Sequence, residues 1–308
     1  MSKAQPTDSA SARRGDDACL ICGSLNHTTR FGATYRGSAA DAGSYFLSHR
    51  TATAHGRVVR CRDCGFTFTS PRFCDSEYDE IYGKIQVPSA PDSAFEQAKT
   101  ARFQRLGSVI RRFQAEPGQF LDFGCGDGAF LRTFGRSGGV GFDVGADGSR
   151  LEGGYEILNG SWDQIAGSPA APAAHFDFVA AFDVLEHLPH VERDIALISK
   201  VLKPSGLLFA TVPDIESLVS RAMGSRWSML LLEHLWYFSR RTLTIMMARN
   251  GLEAMHFQAT PFDAPVAHVA TRLAQAFGMK GALLPGPLTK LVLPVPAGIV
   301  LGVFRKTA

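Results

Sequence analysis

Residues 120–131 read Phe-Leu-Asp-Phe-Gly-Cys-Gly-Asp-Gly-Ala-Phe-Leu, and their types and spacing suit ligand binding. An apolar run meets an acid, Asp122, then three glycines at alternate positions, Gly124, Gly126 and Gly128, then a new apolar periodicity. This pattern predicts a strand, a tight loop and the start of a helix. Glycine lets backbone pass close to a ligand because no Cβ stands in the way, and a helix start presents free N–H groups. A second acid, Asp143, ends Val140-Gly141-Phe142-Asp143, 19 residues past Gly124. An acid at that place can accept from both hydroxyls of a ribose. The stretch therefore predicts a site for an adenosine-bearing molecule.

The loop discriminates among such molecules. Dinucleotide sites use G-x-G-x-x-G/A. Gly124, Gly126 and Ala129 fit that pattern loosely, so a nicotinamide-dependent oxidoreductase stands as an alternative. Two details oppose it: Gly128 makes the pattern G-x-G-x-G, and Asp122 sits two residues ahead of the first glycine. A carboxylate there repels a pyrophosphate and attracts an ammonium. S-adenosylmethionine carries an ammonium, a sulfonium and a ribose, and no phosphate.

The stretch resembles the first motif, D/E-x-G-x-G-x-G, of the class I S-adenosylmethionine-dependent methyltransferases. That resemblance implies a Rossmann-like sheet of seven strands, the last antiparallel, with helices on both faces. It implies S-adenosylmethionine as donor and S-adenosylhomocysteine as product. It places cofactor contacts at Asp122, Gly124, Cys125, Gly126, Gly128, Asp143 and the adjoining Val144, and adenine contacts near Ser161, Trp162 and Asp163. Phe182, at the end of the fourth strand, and His187, after it, complete the set. Trp162 has two readings, a wall or stacking surface for adenine and a buried anchor for a helix start.

Two histidines have the chemistry to help a nucleophile lose its proton. His187 lies in Asp183-Val-Leu-Glu-His187-Leu188, and His234 in Leu232-Glu233-His234-Leu-Trp-Tyr237-Phe-Ser239. A positioned base contributes typically ~10²–10⁴-fold, and His suits neutral pH. The second segment resembles the E-H-x-x-Y-F-S stretch of sugar and small-molecule methyltransferases. The resemblance makes His234 the first candidate for a base and His187 the second, with Glu233 orienting His234 and Tyr237 beside them. The sugar C-methyltransferases carry a Tyr two residues before the Glu, where this chain has Leu231. The departure weakens a C-methylation reading and leaves O- or N-methylation of a small metabolite. Each of these residues also has a packing or capping reading.

Cys19-Leu-Ile-Cys22-Gly23 and Cys61-Arg-Asp-Cys64-Gly65 are two copies of C-x-x-C-G, with 37 residues between them. Four thiolates so spaced form a tetrahedral structural zinc site, and zinc can contribute on the order of 10 kcal/mol to folding a small module. A redox pair is the alternative. Cys74 and Cys125 fall outside the pattern. The knuckles, with Phe66–Arg72, Tyr78 and Tyr82, resemble the zinc-binding front end of bacterial methyltransferases that act on sugars, nucleotide sugars or other small metabolites. Residues 18–72 hold seven Arg (30, 36, 50, 57, 60, 62, 72) and two acids. The excess reads either as a grip on a phosphate-bearing substrate or, the favoured reading, as a solvated Arg-rich face.

These groups need elements to hold them. Helical spacing of apolar residues covers 92–115. Strands are expected at 119–123, up to Asp143, 155–158, 176–182, 207–212, 252–258 and 298–305. Helices are expected from Asp127, over 192–202 and over 239–250, with at most two helical turns in 145–154. The expected organisation is a polar tail (1–17), a zinc module (18–85) and a methyltransferase domain (86–308), with 263–293 as a helical and Pro-rich insertion. A net charge of +3 gives no strong field for nucleic acid. A nucleic-acid methyltransferase is the weaker alternative. The longest uncharged apolar stretch, 291–304, contains Pro294 and Pro296 and is too short to span a bilayer. Six cysteines without a secretory leader point to free or metal-bound thiols and the cytoplasm.

Overall fold

The chain between the cysteine pairs forms β1 (His27–Phe31), α1 (Ala39–Ala42) and β2 (Val58–Cys61), and β3 (Thr67–Thr69) follows the second pair. β1 pairs antiparallel with β2, and β2 with β3. The knuckle turns close on Gly23 (φ 72°) and Gly65 (φ 79°), a backbone conformation that favours glycine. The protein is seen in a computed structural model that describes residues 16–46, 54–83, 93–116, 118–135, 138–145, 150–152, 154–276 and 291–307. Of the tail expected over 1–17, only Asp16 and Asp17 belong to these residues, and Arg50 lies outside them.

The remaining elements are α2 (Asp75–Gly83), α3 (Ser93–Phe113), β4 (Phe120–Phe123), α4 (Ala129–Phe134), β5 (Gly139–Phe142), β6 (Arg150–Glu152), β7 (Tyr155–Leu158), α5 (Trp162–Ile165), β8 (Phe176–Phe182), α6 (Val191–Val201), β9 (Leu202–Pro213), α7 (Leu218–Met223), β10 (Trp236–Tyr237), α8 (Arg240–Arg249), β11 (Leu252–Pro265), α9 (Val266–Ala276) and β12 (Val292–Lys306). The large sheet has the order β11-β12-β9-β8-β4-β5-β7-β6. β7, β5, β4, β8 and β9 run parallel, and β12 is antiparallel to β9 and β11. This is the Rossmann-like methyltransferase sheet. From β4 the chain works outward one way to β7, and from β8 the other way, so β4 and β8 flank the switch point where such sheets bind ligands.

Successive residues of the parallel strands enter different cores. Leu121, Val179 and Leu208 belong to one buried cluster, and Phe120, Phe178 and Phe209 to another. Burial on both faces is what parallel strands require, and it explains their unbroken apolar sequences. Phe120 stacks on Phe178 with centroids 4.9 Å apart.

The seven expected strands are all present, with β12 antiparallel, and among the described residues β6 adds an eighth, antiparallel to β7. That strand occupies part of 145–154, where a short helix was expected; Gly154 (φ 89°) turns the chain back into β7. Residues 203–206, between the expected helix and strand, form an irregularity inside β9: Phe176 pairs with Leu202 but Phe178 with Leu207. β11 and β12 also run further than expected, pairing out to Pro265 and Val292, so the insertion begins later; residues 277–290 of it lie outside the described residues.

One junction bears directly on function. Trp236 pairs with Phe68 and Tyr237 with Thr67, so β10 completes the N-terminal sheet. The segment holding Glu233 and His234 is thus fixed between the two sheets.

Candidate active site

At the end of β4 the glycine loop turns under positive φ at Gly124 (78°), Gly126 (52°) and Gly128 (74°). A Cβ on Gly124 would lie 2.6 Å from Val184, and one on Gly128 would lie 3.3 Å from Ile157. Those two glycines serve the loop's own conformation and packing. At Gly126 no atom lies within 4 Å of an added Cβ, so this glycine fronts open space. The N–H groups of Gly124 and Cys125 donate to the Phe142 carbonyl at 2.8 and 3.0 Å. Asp143 accepts from the N–H of Gly126 on one oxygen and of Gly145 on the other, both at 2.8 Å. Each carboxylate oxygen keeps a further lone pair, enough for a ribose hydroxyl.

Asp122 is buried, and its Oδ2 has no hydrogen-bond partner among the described residues. Burial pushes its carboxyl well above the usual range, and Asp143 and Asp127 push it the same way. A buried acid of this kind fits an incoming ammonium. Cys125 is buried beside it, with its thiol raised by burial. Asp127 is exposed and pairs with Lys99 at 2.8 Å.

Trp162 is 4% exposed and packs against Phe123 and Phe142, with centroids 5.0 and 4.9 Å away. Its surroundings are those of the core anchor. Ser161 and Asp163 are exposed on either side of it, the Ser161 hydroxyl donating to Asp163. Val144 is exposed next to Asp143, and Phe182 packs on Phe103 and Phe130.

Beyond β8 a second cluster assembles from distant parts of the chain. Asp183 sits at φ 55° and accepts from the Thr211 hydroxyl at 2.8 Å. Arg102, buried on α3, pairs with Asp183 and lies over the Phe262 ring. Leu235 N–H donates to the Glu186 carbonyl at 2.8 Å, and Trp236 Nε1–H to that of Leu188 at 2.7 Å. These two bonds clamp the post-β8 turn against the β10 segment. His187 Nδ1–H donates to the Glu233 carbonyl at 3.0 Å, and His234 Nδ1–H to the Met229 carbonyl at 2.8 Å. A carbonyl only accepts, so each Nδ1 carries the hydrogen and each Nε2 keeps a lone pair. The rings meet edge to face with centroids 4.8 Å apart. Burial lowers His187 to about 4 and His234 well below the ordinary histidine range. Both are neutral at pH 7.

Glu233 is buried with Oε1 unpartnered among the described residues. Burial raises it to about 8, against the opposing pull of Arg272. Tyr237 is fully buried, and its hydroxyl donates to the Leu231 carbonyl at 3.3 Å. Its ring meets that of His234 edge to face, with centroids 6.2 Å apart. The structure thus brings His187, Glu233 and His234 together and packs Tyr237 behind them. Glu186, Asp183 and Arg102 join the site unforeseen. Only Asp183 and Glu186 had a signal, their place immediately ahead of His187.

In the N-terminal module the Cys19–Cys64 and Cys22–Cys61 sulfurs lie 3.4 and 3.5 Å apart, and all four fall within 4.8 Å of one another. Zn–S bonds of about 2.3 Å give tetrahedral sulfur edges near 3.8 Å, so the donor set fits zinc. Arg241 and Arg249 of α8 donate to the Cys64 and Ile21 carbonyls and tie the knuckles to the large domain. Four of the arginines here have partners in the fold: Arg30 with the Ile215 carbonyl, Arg57 with Asp16, Arg60 with Glu216, and Arg72 with Asp17 and the Trp236 ring. No helix among the described residues is long and apolar enough to cross a membrane.

The chain is similar to several known proteins. A family described as "Methyltransferase domain" matches residues 98–256, just over half of the chain. A ubiquinone biosynthesis O-methyltransferase of Nitrosospira multiformis is 27% identical over 39% of this chain and 53% of its own length. The mitochondrial ubiquinone biosynthesis O-methyltransferase of Mus musculus is 31% identical over 34% of this chain and 31% of its own length. The chain thus spans about half or less of these curated relatives. Among solved structures, a Burkholderia thailandensis 1,6-didemethyltoxoflavin-N1-methyltransferase with bound S-adenosylhomocysteine aligns over 80% of this chain and 98% of its own, at 12% identity and TM-score 0.42. The chain belongs to the methyltransferase family, and residues 98–256 are its S-adenosylmethionine-dependent methyltransferase domain.

Proposed function

We propose that the protein methylates an oxygen, or failing that a nitrogen, of a small metabolite. The observation that carries this reading is Asp122: a buried acid, its Oδ2 without a partner among the described residues, behind a glycine loop at the switch point of the sheet. S-adenosylmethionine, when bound, supplies a methyl group on a positively charged sulfur. Asp122 takes its ammonium, Asp143 its ribose, and Gly126 lets backbone approach. His187 and His234 direct Nε2 lone pairs at the acceptor, where they hold or receive its proton. Alignment of acceptor, methyl and sulfur is the main catalytic contribution, worth up to roughly 7–11 kcal/mol. The O-methyltransferase relatives favour oxygen over nitrogen.

The cysteine cluster serves as a structural zinc site in this reading. Residues 18–85 form a module that supports the acceptor end through β10, and residues 86–308 form the catalytic domain.

Calorimetric titration with S-adenosylhomocysteine and, separately, with NAD tests the proposal. Binding of S-adenosylhomocysteine that weakens in Asp122→Asn supports it. Binding of NAD with no response to S-adenosylhomocysteine overturns it in favour of an oxidoreductase.

A further inference from the structure

We propose that Glu186, His187 and His234 form a site for a divalent first-row transition cation, such as zinc(II), at the acceptor end of the cleft. One ligand atom from each lies within 4.8 Å of the other two. Both imidazoles are held in the tautomer that leaves Nε2 bare, by the Glu233 and Met229 carbonyls. A metal-binding histidine commonly has its other N–H fixed in this way, because the outer hydrogen bond sets both tautomer and ring direction. Glu186 is 1% exposed, and its Oε2 has no partner among the described residues. A carboxylate in that position needs a cation or a proton to be stable. Asp183, paired with Arg102, lies on the same turn.

Two imidazoles and one carboxylate suit zinc and its first-row neighbours, and three protein ligands leave a position open. This donor set differs from the four thiolates of the knuckles. The proposal deepens the methyl-transfer reading and rests on it for the ion's role. With the ion bound, the Nε2 lone pairs are taken up by it, and the imidazoles act on the acceptor through the cation in place of the direct proton transfer described above. An acceptor hydroxyl beside the ion loses its proton to solvent more readily. Its oxygen forms the new C–O bond as the methyl C–S bond breaks, and that bond's electron pair stays on sulfur.

The test loads the full-length chain with cobalt(II) and counts ions by mass spectrometry while recording the absorption spectrum. Thiolate ligands give an intense near-ultraviolet charge-transfer band, so the cysteine site is counted separately. The expected result is two ions per chain in the wild type, the second adding visible absorption without more thiolate intensity. The Glu186→Gln/His234→Gln double variant should hold one, with S-adenosylhomocysteine affinity unchanged within about twofold. Saturation of the wild type with thiolate-bound cobalt alone overturns the site, whether or not the variant folds. So does a folded double variant that still binds two. Titration with S-adenosylhomocysteine reads the methyl-donor pocket independently: if it fails while the second ion binds, the methyl-transfer reading falls and the cation site stands.

Discussion

At the donor end, Asp122, the glycine loop and Asp143 come from 22 consecutive residues. At the acceptor end, His187 meets the Glu233 carbonyl across 46 residues of sequence, and the segment bearing Glu233 and His234 is held by pairing between β10 and β3. The first end is a local device, a strand, a glycine turn, a helix and a strand, the turn shaped by three positive-φ glycines. The second is a tertiary device that depends on the N-terminal sheet. The difference predicts that damage to the N-terminal module passes to the acceptor end and spares the donor end.

The largest expected effect follows from removing the cysteine ligands. Cys61→Ser/Cys64→Ser, or metal stripping with a chelator, should unfold the small sheet, with a loss on the order of 10 kcal/mol of metal-coupled folding energy. Hydrogen exchange should show lost protection in β1–β3 and β10 and turnover should collapse, while S-adenosylhomocysteine still binds. Parallel loss of that binding would break the comparison, since it would mean that the donor loop also leans on the module.

Next comes His234→Ala. Turnover should fall by about 100-fold or more, the low end of what a base or an equivalent proton-handling group contributes. S-adenosylhomocysteine affinity should stay within about twofold. Unchanged turnover on the natural acceptor would remove His234 from the chemistry and leave it a packing residue.

The same contrast explains what the sequence disclosed. The Asp122–Asp143 stretch was legible because chemistry and local conformation coincide there: glycines at positions that need positive φ, acids at strand ends. The knuckles were legible for the same reason, since Gly23 and Gly65 close turns that align four sulfurs. His187 and His234 were visible as candidates, but their edge-to-face meeting was not. It depends on Trp236–Tyr237, two residues with no strand signature of their own, joining β3. Glu186 was hidden because an acid after a strand looks the same whether solvated or buried. Arg102 lies on an amphipathic helix, where one basic residue carries no information until α3 meets Asp183. The strand at 155–158 was legible, but its partner at 150–152 was not, because three residues in a short glycine-rich connection carry too little pattern to separate a strand from a helical turn.

A smaller effect, with two opposite signs, is expected at Asp122. Its carboxyl is raised in the ligand-free fold, so its contribution to stability is complete below the unfolded value near 3.9 and is lost as pH rises through the folded value. At neutral pH, Asp122→Asn should therefore make the ligand-free protein more stable, by about 1 kcal/mol, read as a higher Tm. The same change should weaken S-adenosylhomocysteine binding about tenfold, since a charge-assisted bond to an ammonium is worth ~1.5–3 kcal/mol. A fall in both stability and affinity would show that Asp122 is a structural carboxylate with a partner in the fold.

The smallest effect on ligand is expected at Trp162, the residue with the sharpest choice between donor-site and core roles. Its ring lies between Phe123 and Phe142 and is 4% exposed. If it stacked on adenine, Trp162→Leu would remove a base–aromatic contact worth ~1–3 kcal/mol, a loss of affinity of roughly 5- to 150-fold. As a core residue it should instead cost about 1–2 kcal/mol of global stability, with S-adenosylhomocysteine affinity moved by less than about twofold. Chemical denaturation and calorimetry on one sample separate the two. A stable variant with weak binding would return Trp162 to the adenine pocket and show that the donor end, too, reaches beyond its own contiguous stretch.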